Sequence, residues 1–220
     1  MVPNEKDLKI FMNYRRMKEI KRCNNFPVIN QEDVAQHSFY TTLLAMTLAD
    51  EYNTWAADNN FGYHPYDVEH QKPVVKTEIV VRKALLHDLE ESFTSDIPWN
   101  IKHMSPEVHE TLTKAIEQKI NSVYEGSQTM ELYHEINKKC KDGFEGQFVD
   151  IADMLELGIY CWEEYVKGNH YLKTMLDKCI RLVKSYELCS VLEEASPMFQ
   201  KIMELIQLDG TAAEGLMEIN

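Results

Sequence analysis

The spacing of apolar and polar positions reads as helix along nearly the whole chain. Leu8, Phe11, Tyr14, Met17 and Ile20 recur every third residue, close to one helix face. Residues 33–50 carry an apolar stripe through Phe39, Leu43, Leu44, Met46 and Leu48. Thr77 is a candidate N-cap for a helix over 77–92, with Val80, Val81, Ala84, Leu85 and Leu89 inward. The run Val74, Val75, Ile79, Val80, Val81 also suits a strand. The charges at Lys76, Glu78, Arg82 and Lys83, and the lack of a second strand to pair with, argue for helix.

Ser105-Pro106 is a helix start, with serine as cap and proline at the first helical position. Val108, Leu112, Ile116, Ile120 and Val123 follow at helical steps, and Gly126 ends the run. A long helix after Gly143 and Gly146 runs through Phe148, Ala152, Leu155, Ile159 and Trp162. Gly168 stands at its left-handed cap, with Lys167 in the last turn. Another helix is expected over 170–184, and Ser196-Pro197 opens the last, ending near Gly210. The expectation is an all-α single domain over 1–210, with an insertion loop at about 56–74 and a C-terminal tail at 211–220. No internal repeat or interdomain linker interrupts it.

Composition narrows the partners. A chain of 220 residues with 44% hydrophobic residues can bury a sizeable core. Its formal net charge of -13 opposes binding to nucleic acid polymers and anionic membranes. A small anionic substrate is still compatible, because a metal ion and a few cations can invert the field inside a pocket. The five cysteines form no CxxC pair and read as reduced thiols of a cytoplasmic protein. No stretch approaches the roughly 18 uninterrupted apolar residues of a membrane span.

The segment KALLHDLEESFTSDIPWNIK, residues 83–102, sets His87-Asp88 among the acids Glu90, Glu91 and Asp96. On a helix His87 and Glu91 share a face, and Asp88 lies about 100° further round. A divalent ion of borderline softness takes imidazole nitrogen and carboxylate oxygen. His37, in EDVAQHSFYTTLLA, lies near the start of an apolar helix. Asp153, in QFVDIADMLELG, stands mid-helix in an apolar stripe, where a carboxylate is costly unless paired or metal-bound. Asp150, one turn away, is the rival on spacing alone. Singly, each has a bland reading: a solvated acid, a hydrogen-bonded core histidine, a polar residue at a helix crossing. The ordered combination on separate helices is what points to a metal site.

The order His37, His87-Asp88, Asp153 resembles the HD-domain phosphohydrolase superfamily, and more closely the bacterial 5′-deoxynucleotidases of the YfbR-like family. Arg22 stands fifteen residues before His37, and NQEDVAQHS is similar to that family's first motif. His87-Asp88-Leu89-Glu90-Glu91, Asp96-Ile97-Pro98 and Lys102 match its second motif, and Ala152-Asp153 its last. The resemblance covers residues 8 to about 180 and favours Asp153 over Asp150. Two features depart from it: Cys23 stands where the family has a tryptophan implicated in accepting deoxyribose over ribose, and residues 56–74 look longer than the family's loop.

The resemblance implies an HD-domain helical bundle, a homodimer, and a deoxynucleoside 5′-monophosphate as substrate. One divalent ion (Co, Mn, Zn, Ni or Fe) would be held by His37, His87, Asp88 and Asp153. Glu91 would orient or deprotonate the attacking water, with Asp96 assisting. Arg22, Cys23 and Lys102 would bind substrate, and for the other cations of the run 15–21 a solvated face is expected. The phage dATP triphosphohydrolases share the core motif and are the competing activity, releasing triphosphate. A silent HD-fold nucleotide sensor is the non-enzyme alternative; the intact Glu91 and Asp96 argue against it.

Overall fold

The computed structural model describes residues 5–59, 74–97 and 104–208. The described residues are helical, and the nearest thing to a strand is an isolated antiparallel bridge between Lys21 and Asp33. In chain order the helices are α1 (Glu5–Tyr14), a 3-10 turn (Arg15–Glu19), α2 (Val34–Asp58), α3 (Thr77–Leu86) and a short α4 (Glu91–Thr94). Then follow α5 (Pro106–Tyr124), α6 (Gln128–Lys138), α7 (Gly143–Val166), a 3-10 turn (His170–Leu172), α8 (Lys173–Ser185), α9 (Glu187–Ala195) and α10 (Pro197–Leu205). Most of the insertion expected at 56–74, and all of the tail at 211–220, lie outside the described residues.

α7 is the axis of the bundle. Phe148, Val149, Ile151, Ala152, Leu155, Tyr160, Cys161 and Trp162 are buried over most of its circumference, and the arc of Gln147, Asp150, Met154 and Leu157 is less covered. α2, α3 and α8 pack directly on it. Tyr52 of α2 meets Phe144 and Phe148 of α7 edge to face, with centroids 5.6 and 5.5 Å apart. Any polar side chain aimed inward from α2, α3 or α7 therefore lands among the others.

Several helix ends behave as their sequence dictates. Ser105 and Ser196 accept from the amides of Val108 and Phe199, each followed by proline. Gly168 takes φ +99 after α7, the left-handed region that favours glycine. The expected helix over 77–92 instead breaks: α3 stops at Leu86, residues 87–90 form turns, and Thr77 is its first residue rather than its cap.

The inward faces of two helices differ from the expectation. On α1, Ile10 is buried while Leu8 and Phe11 are more than half exposed. On α2, Ala45, Leu48, Ala49 and Tyr52 form the core face, and Phe39 and Leu43 point outward. Leu48, which the stripe includes, and Tyr52 are fully buried on that face together with Ala45 and Ala49. The helices α6 and α9 were not expected, and the expected helix at 170–184 begins with a 3-10 turn.

Candidate metal centre

His37 is placed by the start of α2. Asp33 accepts from the Gln36 amide at 2.9 Å, and the Gln36 side chain accepts from the Asp33 amide at 3.1 Å. This reciprocal box fixes the first turn. His37, the next residue, turns its ring into the bundle and is fully buried.

His87 and Asp88 sit in the turn that ends α3, not on a continuous helix. Asn137 of α6 holds that turn, its side-chain amide donating to the carbonyls of Leu86 at 2.7 Å and His87 at 2.8 Å. The Nδ1 of His87 lies 2.7 Å from the Ala84 carbonyl, so it carries the proton and leaves Nε2 as the free electron pair. That Nε2 lies 3.2 Å from Asp88 Oδ2, 3.2 Å from His37 Nε2 and 3.9 Å from Asp153 Oδ1.

Asp153 comes from the middle of α7. Its Oδ1 is 3.1 Å from His37 Nε2, and Asp88 Oδ2 is 3.6 Å from the same nitrogen. One donor atom from each of His37, His87 and Asp153 lies within 4.8 Å of the other two. Asp150 faces Lys141 at 3.2 Å instead.

These four side chains fit a divalent ion on chemical grounds. Two imidazole nitrogens and a carboxylate oxygen of Asp153 converge, Asp88 Oδ2 lies against both rings, and both rings have their far nitrogen occupied, His87 by Ala84 and His37 by the carboxylate of Glu156. Such outer contacts fix ring orientation and tautomer in metal sites. Charge balance is consistent. Burial alone would raise the Asp88 carboxyl, but His87, His37 and Arg22 outweigh it and hold it well below the usual carboxylate range. Asp153 is held low in the same way, with Lys141 the largest opposing influence. Burial and Arg22 act to lower the His37 imidazole; Asp153 and Glu156 prevail and raise it to about 9.

Arg22 closes one side. Its Nη1 donates to Asp88 Oδ2 at 3.2 Å and its Nε lies 3.9 Å from Glu32. The loop carrying it is anchored to α7: Glu164 accepts from the amides of Ile29 at 2.6 Å and Asn30 at 2.7 Å, and Tyr160 donates to the Asn30 carbonyl. Cys23 beside Arg22 has φ +51, and burial raises its thiol to about 11; the charge of Asp96 also reaches it. Glu91, the first residue of α4, is buried within electrostatic reach of Arg22. The exposed Arg15, Arg16, Lys18 and Lys21 leave Arg22 as the one cation of its run turned to the site. Lys102 and Pro98 lie outside the described residues.

The model of the family described as 5′-deoxynucleotidase YfbR-like matches residues 9–200. The chain belongs to this family. A 5′-deoxynucleotidase of Vibrio vulnificus is 27% identical over 202 residues, covering 89% of this chain and 96% of that one. The 5′-deoxynucleotidase YfbR of an Escherichia coli strain is 25% identical, covering 93% and 98%. An HD-domain phosphohydrolase structure from Listeria innocua superposes with a TM-score of 0.68 at 20% identity, covering 90% and 89%. The cyanophage S-2L HD phosphohydrolase, described as bound to dA and one catalytic Zn2+ ion, gives 0.52 at 17% identity, covering 88% and 95%. The fold of the YfbR-like chain is thus the all-α HD-domain bundle.

Sequence reasoning missed Glu32, Asn137, Lys141 and Glu156. Glu156 had a signal, since it stands one turn after Asp153 inside the same apolar stripe. The other three had none, because nothing in local spacing ties a loop or α6 to the centre of α7.

Proposed function

We propose that the protein is a metal-dependent phosphohydrolase that releases orthophosphate from deoxynucleoside 5′-monophosphates. The observation that carries this reading is the convergence of His37, His87 and Asp153, with Asp88 against both imidazoles and beside Arg22, in a chain of the YfbR-like family. The substrate class is supported by the names of its relatives, which are 5′-deoxynucleotidases over nearly their whole length.

In this reading the four residues hold one divalent ion of the Mn to Zn series. Bound there, such an ion polarises the phosphoryl group and makes water a stronger nucleophile. Arg22 orients the phosphate through its planar fork, its position fixed by Asp88. Glu91 takes the proton of the attacking water, a contribution of about 10²–10⁴ in rate. Asp96 assists in orientation or proton transfer, Lys102 adds a point charge, and Cys23 lines the sugar side. The protein works as a cytoplasmic homodimer. Its cysteines are free, and no described helix is long and apolar enough to cross a membrane. Sedimentation velocity tests the dimer.

The decisive assay incubates the metal-loaded protein separately with deoxynucleoside mono- and triphosphates and identifies the phosphorus product. Orthophosphate from the monophosphates is expected. Inorganic triphosphate from a triphosphate would replace this reading with the dATP-type activity.

A further inference from the structure

Lys141 lies in the tight connection between α6 and α7, outside every motif that marks the metal ligands. Its ammonium donates to Asp153 Oδ2 at 2.9 Å and lies 3.2 Å from Asp150, one turn earlier on α7. The other oxygen of Asp153, Oδ1, is the one that faces His37 at 3.1 Å and His87 at 3.9 Å. The two oxygens of one carboxylate are thus divided between a cation of the protein and the proposed ion.

The connection is built to hold this lysine. Cys140 and Asp142 donate to the carbonyls of Asn137 and Lys139, and the Lys83 side chain donates to the carbonyl of Asp142. Gly143 takes φ +73 to turn into α7. Gly146 lets the backbone of Lys141 lie against the first turn of that helix: a Cβ there would stand 2.3 Å from the Lys141 carbonyl carbon. The Lys141 side chain is 44% exposed, so the contact is not a by-product of filling the core.

We propose that Lys141 is a positioning residue of the metal centre, holding Asp153 by Oδ2 so that Oδ1 alone is presented to the ion. A carboxylate that swung to bind through both oxygens would fill a second coordination position. Kept to one oxygen, Asp153 leaves that position for water or a phosphate oxygen, which a catalytic metal site requires. This role rests on the metal-centre reading above.

The test uses the full chain loaded with Co(II), as wild type, Lys141→Met and Lys141→Arg. Cobalt affinity is measured by chelator competition, and coordination by the visible absorption of the bound ion. Removing a positive charge and freeing a second carboxylate oxygen both tighten cation binding, so affinity does not separate them and the absorption of the bound ion does. The methionine variant is expected to bind cobalt at least as tightly as wild type, with the weaker visible absorption of a higher coordination number. Lys141→Arg is expected to keep the wild-type spectrum. Gly146→Ala, which must displace the Lys141 backbone while keeping the lysine, is expected to change the absorption in the same direction as the methionine variant. A methionine variant with the wild-type spectrum overturns the role of Lys141 alone. A wild-type protein that takes up no cobalt overturns the metal centre and this role together.

Discussion

Glu156 holds Nδ1 of His37 while Asp153, one turn earlier on α7, faces Nε2 of the same ring at 3.1 Å. A single helix thus grips both nitrogens of one buried imidazole. The Glu156 contact holds one proton on Nδ1, so that an ion displacing the other proton of the ring binds at Nε2, the nitrogen that the Ala84 carbonyl leaves free on His87. Glu156→Ala should therefore lower metal affinity by about 10- to 100-fold. Glu156→Gln, whose amide oxygen can still accept from Nδ1, should lose less. Chelator competition measures both; equal affinities for wild type and alanine variant would remove Glu156 from the account.

Metal binding and turnover should separate by residue. Asp88→Ala is expected to lose metal and activity together, because it removes a donor oxygen and the partner of Arg22. Glu91→Ala should keep a full equivalent of metal while turnover falls by about 10²–10⁴. Metal content and phosphate release measured on the same preparations check the pair. An active Glu91→Ala protein would refute its role as proton acceptor.

Most of what sequence made legible lies on single elements. The donors His37, His87, Asp88 and Asp153 could be picked out because each interrupts an apolar pattern or completes a local motif. Lys141 and Asn137 could not, because their roles exist only once α6, the connection and α7 are brought together. The helix break at His87 was also hidden. The apolar pattern runs on through Leu89, which is buried, but it does so across a turn held by Asn137. The buried faces of α1 and α2 differ from the pattern for another reason. Periodicity reports where large apolar residues recur, while the neighbours decide which arc is covered: α2 buries Ala45, Leu48, Ala49 and Tyr52 and leaves Phe39 and Leu43 exposed.

The loop that presents Arg22 should be acid-sensitive. Glu164 is fully buried and accepts from the amides of Ile29 and Asn30 and from the side chain of Asn169. Burial acts to raise its carboxyl, but these hydrogen bonds win and lower it below its ordinary value of 4.5. A folded-state value below the unfolded one contributes stability that is present above about pH 4.5 and lost as pH falls through the lowered value. Glu164→Ala, which leaves those donors without an acceptor, should cost about 3 kcal/mol in urea unfolding at neutral pH. The difference from wild type should shrink in acid. A variant with the same urea midpoint as wild type would contradict this anchoring.

Cys23 should set sugar choice. It adjoins Arg22 where the family resemblance places a tryptophan, and in the proposed function it lines the sugar side. Cys23→Trp should raise the ratio of kcat/KM for deoxyribo- over ribonucleoside monophosphates by about tenfold. An unchanged ratio would place the sugar elsewhere.

In the proposed function, His37, His87, Asp88 and Asp153 form one metal centre that hydrolyses a deoxynucleoside monophosphate. Protein stripped with a chelator and titrated with Co(II) or Mn(II), with orthophosphate release from dAMP followed in the same sample, tests it most directly. Activity should be absent at the start, rise in proportion to metal and level off at one equivalent per chain. Undiminished hydrolysis by the stripped protein, or none at a full equivalent, would contradict it.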